Sequence, residues 1–398
     1  MIWWIVGALI VSLPAAYAFR MAGQSLTGNR PLFRDMSFGV AWGYVVGGAL
    51  LLWLLYSYID SWLVTEQVDK NKYFFFRVAV HGFVLFSVAA LIFRWLGTMI
   101  GTAGSKKLFR NMPATAAFGI LVILIYSILA IFAGVIAPYG QEEILGAANV
   151  VPGGNPAFGG NPDYPLGTDQ IGRDILSRLI YGAQNTVGIA FATTCLAFFI
   201  GGTLGFLAAT LQGWLDQVIS RAVDVLMAIP ALIFALLLMT IATVWANEFG
   251  IDRTIFMVVI IAVIDSTRVY RLARAVGLNI VVMDYIEAAK LRGEGLGYLI
   301  FKEILPNATA PLLAEFGLRF CFVFLTIASL SFLGVGIQPP LADWGTMVKD
   351  LAQFINFAAF APIVATAPLI AAGAIALLTV AVNFVVDWML HKSSGLKE

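Results

Sequence analysis

Apolar runs of about twenty residues recur along this 398-residue chain, and nothing constrains its fold more. A backbone in hydrocarbon must satisfy its own hydrogen bonds, and a helix crossing a core of roughly 30 Å needs about 20 mostly apolar residues. Runs near residues 2–19, 37–59, 74–96, 115–137, 184–210, 222–245, 254–270, 308–333 and 361–388 meet that demand. The expected fold class is an all-α polytopic membrane protein with about nine spans. Composition agrees: 60% hydrophobic and 12% charged residues lie far from the roughly 45–50% and 25% of soluble domains. The first run, MIWWIVGALIVSL, has no basic residue ahead of it and is followed by Arg20, so it reads as a retained span rather than a signal peptide.

Orientation follows from basic residues in short loops. Arg20, Arg30 and Arg34 follow the first run, and Arg94, Lys106, Lys107 and Arg110 precede the fourth, which puts both segments in the cytoplasm. The segment with Asp60, Glu66 and Asp69 is expected outside. So is the loop 138–183, where Glu142, Glu143, Asp163, Asp169 and Asp174 outnumber Arg173 and Arg178. Nine spans then place the N-terminus outside and the C-terminal HKSSGLKE inside. A net charge of +1 gives no bulk attraction to nucleic acid. Cys195 and Cys321 fall in apolar runs as packing residues, with no metal knuckle or disulfide framework. His81 and His391 are the only histidines, and neither sits in a zinc or triad motif, which argues against a membrane enzyme. No phosphate-binding G-x-x-x-x-G-K-[ST] run is present, since GTAGSKK at Gly101 lacks the spacing.

The segment EAAKLRGEGLGYLIFKEILP, Glu287 to Pro306, interrupts two apolar runs with charge and glycine. By the same count it is cytoplasmic. Asp284 to Arg292 reads as a helix stopped at Gly293, and Leu296 to Leu305 as a second one ending where Pro306 opens the next span. Ala288 and Ala289 form a narrow face, with Tyr285, Ile286 and Leu291 as apolar anchors. An ordinary solvated loop is the competing reading. In the eighth run, Glu315 and Arg319 stand four apart with the acid first, the better order for pairing. At such depth they face either a path or subunit interface, or only each other. Asp265 and Arg268 read as a structural pair. Arg77 and His81 share a helix face, where a snorkelling arginine beside a wet histidine outweighs a proton relay. A helix over Asp169–Tyr181, capped by Thr168, has Ile171, Ile175, Leu176, Leu179 and Ile180 on one face and Arg173 and Asp174 turned outward.

The EAA triplet, Gly293 six positions after Glu287, and Leu305-Pro306 resemble the cytoplasmic EAA loop of permease subunits of binding-protein-dependent ABC importers. YPLGTDQIGRDILSRLIYGAQNT (164–186), GWLDQVISRAVDVLMAIPALI (213–233) and LSFLGVGIQPPLADWGTM (330–347) narrow the likeness to the second permease type of the dipeptide, oligopeptide and nickel branch. The resemblance implies a type I importer core of about six helices over 111–398, preceded by an extension, 1–110, with about three more spans. It implies a second permease chain, two ATP-binding subunits and an external solute-binding protein as partners, in the inner membrane of a bacterium. ATP and magnesium would then be held on the partner subunits, with no cofactor in this chain. Carried over by position, Glu287, Ala288, Ala289, Gly293, Leu305 and Pro306 belong to the ATPase-coupling element. The helix bearing Arg173 and Asp174 either docks the binding protein or seals the mouth. Glu303 departs from the apolar residue usual at its place. The extension either adds lipid-facing helices or binds an accessory subunit. Peptides are the expected cargo, nickel or another small solute the alternative. A secondary transporter fits less well, because it needs no such loop.

Overall fold

The computed structural model describes residues 12, 14–19, 21, 37–63, 74–154, 156, 159–357 and 364–393. Most of the expected first span, with Arg20, Arg30, Arg34, Glu66, Asp69 and the last five residues, lies outside them. The described residues are helical apart from loops and two isolated bridges. They divide into two compact units, Met1–Gly82 and Phe83–Glu398.

The first unit contains α1 (Phe38–Leu63) and the start of α2 (Phe74–Met99), which continues into the second unit. Within it Trp42 Nε1 donates to Ser12 Oγ at 2.8 Å, and the His81 ring bonds the Arg77 carbonyl at 2.7 Å. This last bond is one that an i,i+4 spacing permits on any helix.

The second unit adds α3 (Ala103–Asn111), α4 (Ala114–Ile131), α5 (Ile175–Leu211), α6 (Gly213–Ala228), α7 (Ala231–Phe249) and α8 (Arg253–Val281). Then follow α9 (Asp284–Leu291), α10 (Leu296–Phe332), α11 (Trp344–Leu351) and α12 (Ala367–Ser393). Among the described residues six helices are long and apolar enough to cross a membrane, within Ala79–Met99, Ala114–Ile131, Ile175–Leu211, Ala231–Phe249, Leu296–Phe332 and Val364–Lys392. A multi-pass membrane protein follows.

Two expectations are corrected. The run 222–245 is not one helix: Ile229 and Pro230 are extended and split it into amphipathic α6 and apolar α7, because proline removes a donor and forces its predecessor out of the helical region. The expected span 254–270 is the first part of α8, which runs eleven residues further, to Val281. Its length comes from pairing with α5 along a seam of small residues. A Cβ on Gly205 would lie 2.7 Å from Ala273 Cβ and from the Tyr270 carbonyl, and one on Gly277 2.8 Å from Ala209 Cβ. Close backbone approach replaces the hydrophobic effect as the adhesive where lipid is the solvent.

Candidate functional site

The loop between α8 and α10 is a hairpin of helices anchored from beneath. α9 has Asp284 and Glu287 in its first turn and Lys290 in its last, complementing the helix dipole. Gly293 then adopts φ +80°, and the Glu294 amide reaches back to the Ala289 carbonyl at 3.2 Å, the six-to-one closure that a left-handed glycine permits. The second element is not a separate short helix ending at Leu305. It is the first part of α10, with a π-helical stretch over Leu299–Ile304 and Pro306 in the turn after it.

One expectation about this hairpin fails. Ala288 and Ala289 do not share an outward face: Ala289 and Ile286 are fully buried, packed with Leu299, Ile300, Ile304, Ala308 and Leu312. They stand three apart on the helix, so they share its inner side. The outer surface is Glu287, Ala288, Lys290 and Leu291, the last 83% exposed, with Tyr285 beside them.

The intramembrane charges gather into a cluster larger than the pair expected. Arg319 is buried and lies 2.7 Å from Glu315 through Nε and 3.7 Å from Asp265 on α8 through Nη1. Its guanidinium also covers the Phe322 ring, 4.5 Å from the centroid, within cation–π range. Asp265 therefore pairs across helices, with Arg319, rather than with Arg268 one turn along. Arg268 remains exposed, 5.8 Å from the same ring.

The loop before α5, and α5 itself, depart from the expected arrangement. The helix starts at Ile175, not Asp169, and its N-cap is Asp174, which accepts from the Ser177 amide at 2.7 Å. Thr168 instead accepts from the Val150 amide at 3.0 Å and donates to the Ala147 carbonyl. The charges are not turned outward: Asp174 and Arg178 are buried, and Arg173 is half-buried against Asp169 at 2.8 Å. Ile171, assigned to the inner face, is half exposed. The start of α5 is stitched to the start of α11 and the residues before it, with Asn185 Nδ2 donating to the Ala342 carbonyl at 2.7 Å and Trp344 Nε1 to the Leu179 carbonyl at 2.9 Å.

Against this geometry stand the comparisons with known proteins. Residues 201–392 match the family described as binding-protein-dependent transport system inner membrane component. A dipeptide transport system permease protein of Haemophilus influenzae is 38% identical over 245 residues, 61% of this chain and 79% of the relative. The chain belongs to this permease family. A di/tripeptide transport system permease protein of Pseudomonas aeruginosa is 35% identical, over 60% of this chain and 76% of its own length. A glutathione transport system permease protein of Pectobacterium atrosepticum is 33% identical, over 62% and 76%. The matched residues 201–392 hold the hairpin, the charge cluster and α6 to α8 of the permease.

Sequence reasoning missed how the permease ties α6 to α8. Asp216 accepts from Arg274 Nη2 at 2.6 Å and again from its Nε, with Ser220 and Tyr270 hydroxyls on the same carboxylate. The Arg274 hydrogen bonds, chiefly, hold the Asp216 carboxyl below its usual range. The two residues are 58 apart in sequence, and no local pattern links them.

Proposed function

We propose that this chain is one of the two permease chains of an ATP-driven importer of short peptides. The observation that carries the reading is the hairpin: Ile286 and Ala289 fix it to α8 and α10, while Glu287, Ala288 and Leu291 are left for another protein. In this reading that protein is an ATP-binding subunit, ATP and magnesium are held there, and Gly293, Leu305 and Pro306 shape the hinge by which its movement reaches α10. Peptide as cargo is supported by the dipeptide, di/tripeptide and glutathione transport of the relatives' names. None of those three names favours nickel.

The second permease encloses the path with this one, and residues 111–398 are the importer core to which 1–110 are added. The hairpin lies in the cytoplasm together with the C-terminus, and the N-terminus lies outside, in the inner membrane of a bacterium. A solute-binding protein docks on the external loop. Asp174 contributes by capping α5 and Arg173 by holding the loop through Asp169, beside exposed Ile171.

The test is ATP hydrolysis by the complex that co-purifies with this chain, reconstituted in lipid with and without its binding protein and mixed short peptides. Stimulation by peptides is the expected result. Hydrolysis indifferent to peptides overturns the cargo, and a chain that brings no ATPase with it overturns the importer.

A further inference from the structure

Arg268 sits at a depth where an exposed charge needs a reason. The N-terminal end of α8 and the C-terminal end of α10 lie level, since Arg253 Nη2 donates to the Val335 carbonyl at 3.1 Å. Counted from those ends, Arg268 lies fifteen residues along α8 and Arg319 thirteen along α10, so both are about 20 Å down at roughly 1.5 Å per residue. A hydrocarbon core is about 30 Å thick, so the Arg268 guanidinium is still within it. Ionised groups at such positions face a bundle interior or water rather than lipid.

Its surroundings select among those. Arg319 is engaged with both Glu315 and Asp265, whereas Arg268 makes no ion pair with any described carboxylate. Two carboxylates and two guanidinia make the group neutral overall, with the donors of Arg268 left open. The exposed ridge of α8 continues from Arg268 through Arg271, Ala275 and Asn279, at spacings of three and four, while Val269, Ala273 and Gly277 line the opposite face packed on α5. Toward the end of α8 that carries the hairpin, the next residue of this ridge, Arg271, is paired with Asp224 of α6, which leaves Arg268 as the ridge's cation without a carboxylate among the described residues.

We propose that Arg268 lines the translocation path and receives the carboxylate of the passing peptide, with half-buried Glu315, the partner of Arg319 in the same charge cluster, for the ammonium. A neutral cluster with one open cation suits a zwitterion, which brings both charges and leaves the balance unchanged. The assignment of the ligand rests on the peptide reading above; the placement of Arg268 on the path does not.

Two measurements on the reconstituted complex test it. In the first, uptake of a peptide is compared with that of its C-terminal amide, each supplied above saturation of the binding protein. Arg268→Gln is expected to lower uptake of the free acid about tenfold, the scale of a charge-assisted hydrogen bond, and to change the amide less than about twofold. Arg268→Lys should restore most of the free-acid rate. An equal fall for both forms, as a contact with the second permease would give, overturns the proposal, and so does no fall. In the second, Arg268→Cys in a chain with Cys195→Ala and Cys321→Ala is treated with a charged, membrane-impermeant thiol reagent. Labelling is expected, and a thiol that never reacts removes Arg268 from the path whatever the cargo. A labelled thiol in a complex that imports neither peptide overturns the peptide reading and the carboxylate contact, and keeps the path.

Discussion

Asp343 accepts from the Thr346 amide and the Thr186 hydroxyl, each at 2.8 Å, so one carboxylate caps α11 and joins it to α5. Burial pushes its carboxyl above the usual range, against the pull of those hydrogen bonds. A carboxyl raised in the folded state contributes stability fully below its unfolded pKa of about 3.9 and loses it as pH rises through the folded value. The purified permease should therefore lose thermal stability as pH rises above about 4, and Asp343→Asn should flatten that slope. A slope unchanged by the substitution would show that Asp343 does not set it. Asp343→Ala should cost about 1–3 kcal/mol in a denaturant melt through lost capping and unmet donors. Neighbouring alanines separate folding from docking in the same way. Ala288→Trp should abolish peptide-stimulated ATP hydrolysis while the isolated permease melts as before, and Ala289→Trp should lower the melting point itself, because only Ala289 is buried. The EAA triplet was legible in the sequence, but which alanine faces in was not. That depends on Leu299 and Ile304 arriving from the next helix, which no local pattern contains.

Helices pair here through what they omit. Gly205 lets α5 approach α8 closely enough that an added Cβ would lie 2.7 Å from Ala273 Cβ. Gly205→Leu should cost at least about 1–3 kcal/mol by overpacking and reduce the yield of folded permease in mild detergent. A wild-type yield would mean that the seam yields without cost. The existence of the apolar helices was readable because hydrocarbon imposes one length on every span. Where lipid stops imposing it, the reading failed. Pro230 divides a run that hydropathy joins, and α8 outlasts its apolar stretch because α5 runs alongside it. The start of α5 was misplaced for a related reason: Thr168 and Asp174 both fit an N-cap, and only tertiary demand on the Thr168 hydroxyl, from Val150 and Ala147, decides between them.

If an ATP-binding subunit pushes on the hairpin, as proposed, the stroke has to reach helices beyond α8. α9 follows α8 after two residues, so α8 takes the load first. Arg274, near that end, holds Asp216 on α6, and α6 leads through Pro230 into α7. The second tie, Arg271 to Asp224 at 2.6 Å, has both side chains about half exposed and belongs to the class worth little. Asp216 is the partly buried member and makes a two-pronged contact, which fixes direction as well as distance. If this joint transmits the stroke, Asp216→Asn should leave peptide-stimulated ATP hydrolysis in place and lower peptide imported per ATP several-fold, while Asp224→Asn changes neither. The paired exchange Asp216→Arg with Arg274→Asp should recover part of the ratio. Because Arg274 holds the Asp216 carboxyl below its usual range, the contact persists above the unfolded pKa of about 3.9 and is lost only as pH falls through the folded value. The import-to-hydrolysis ratio should then stay level across the neutral range. A ratio untouched by Asp216→Asn would leave the direct run of α9 into α10 as the route by which the stroke crosses the membrane.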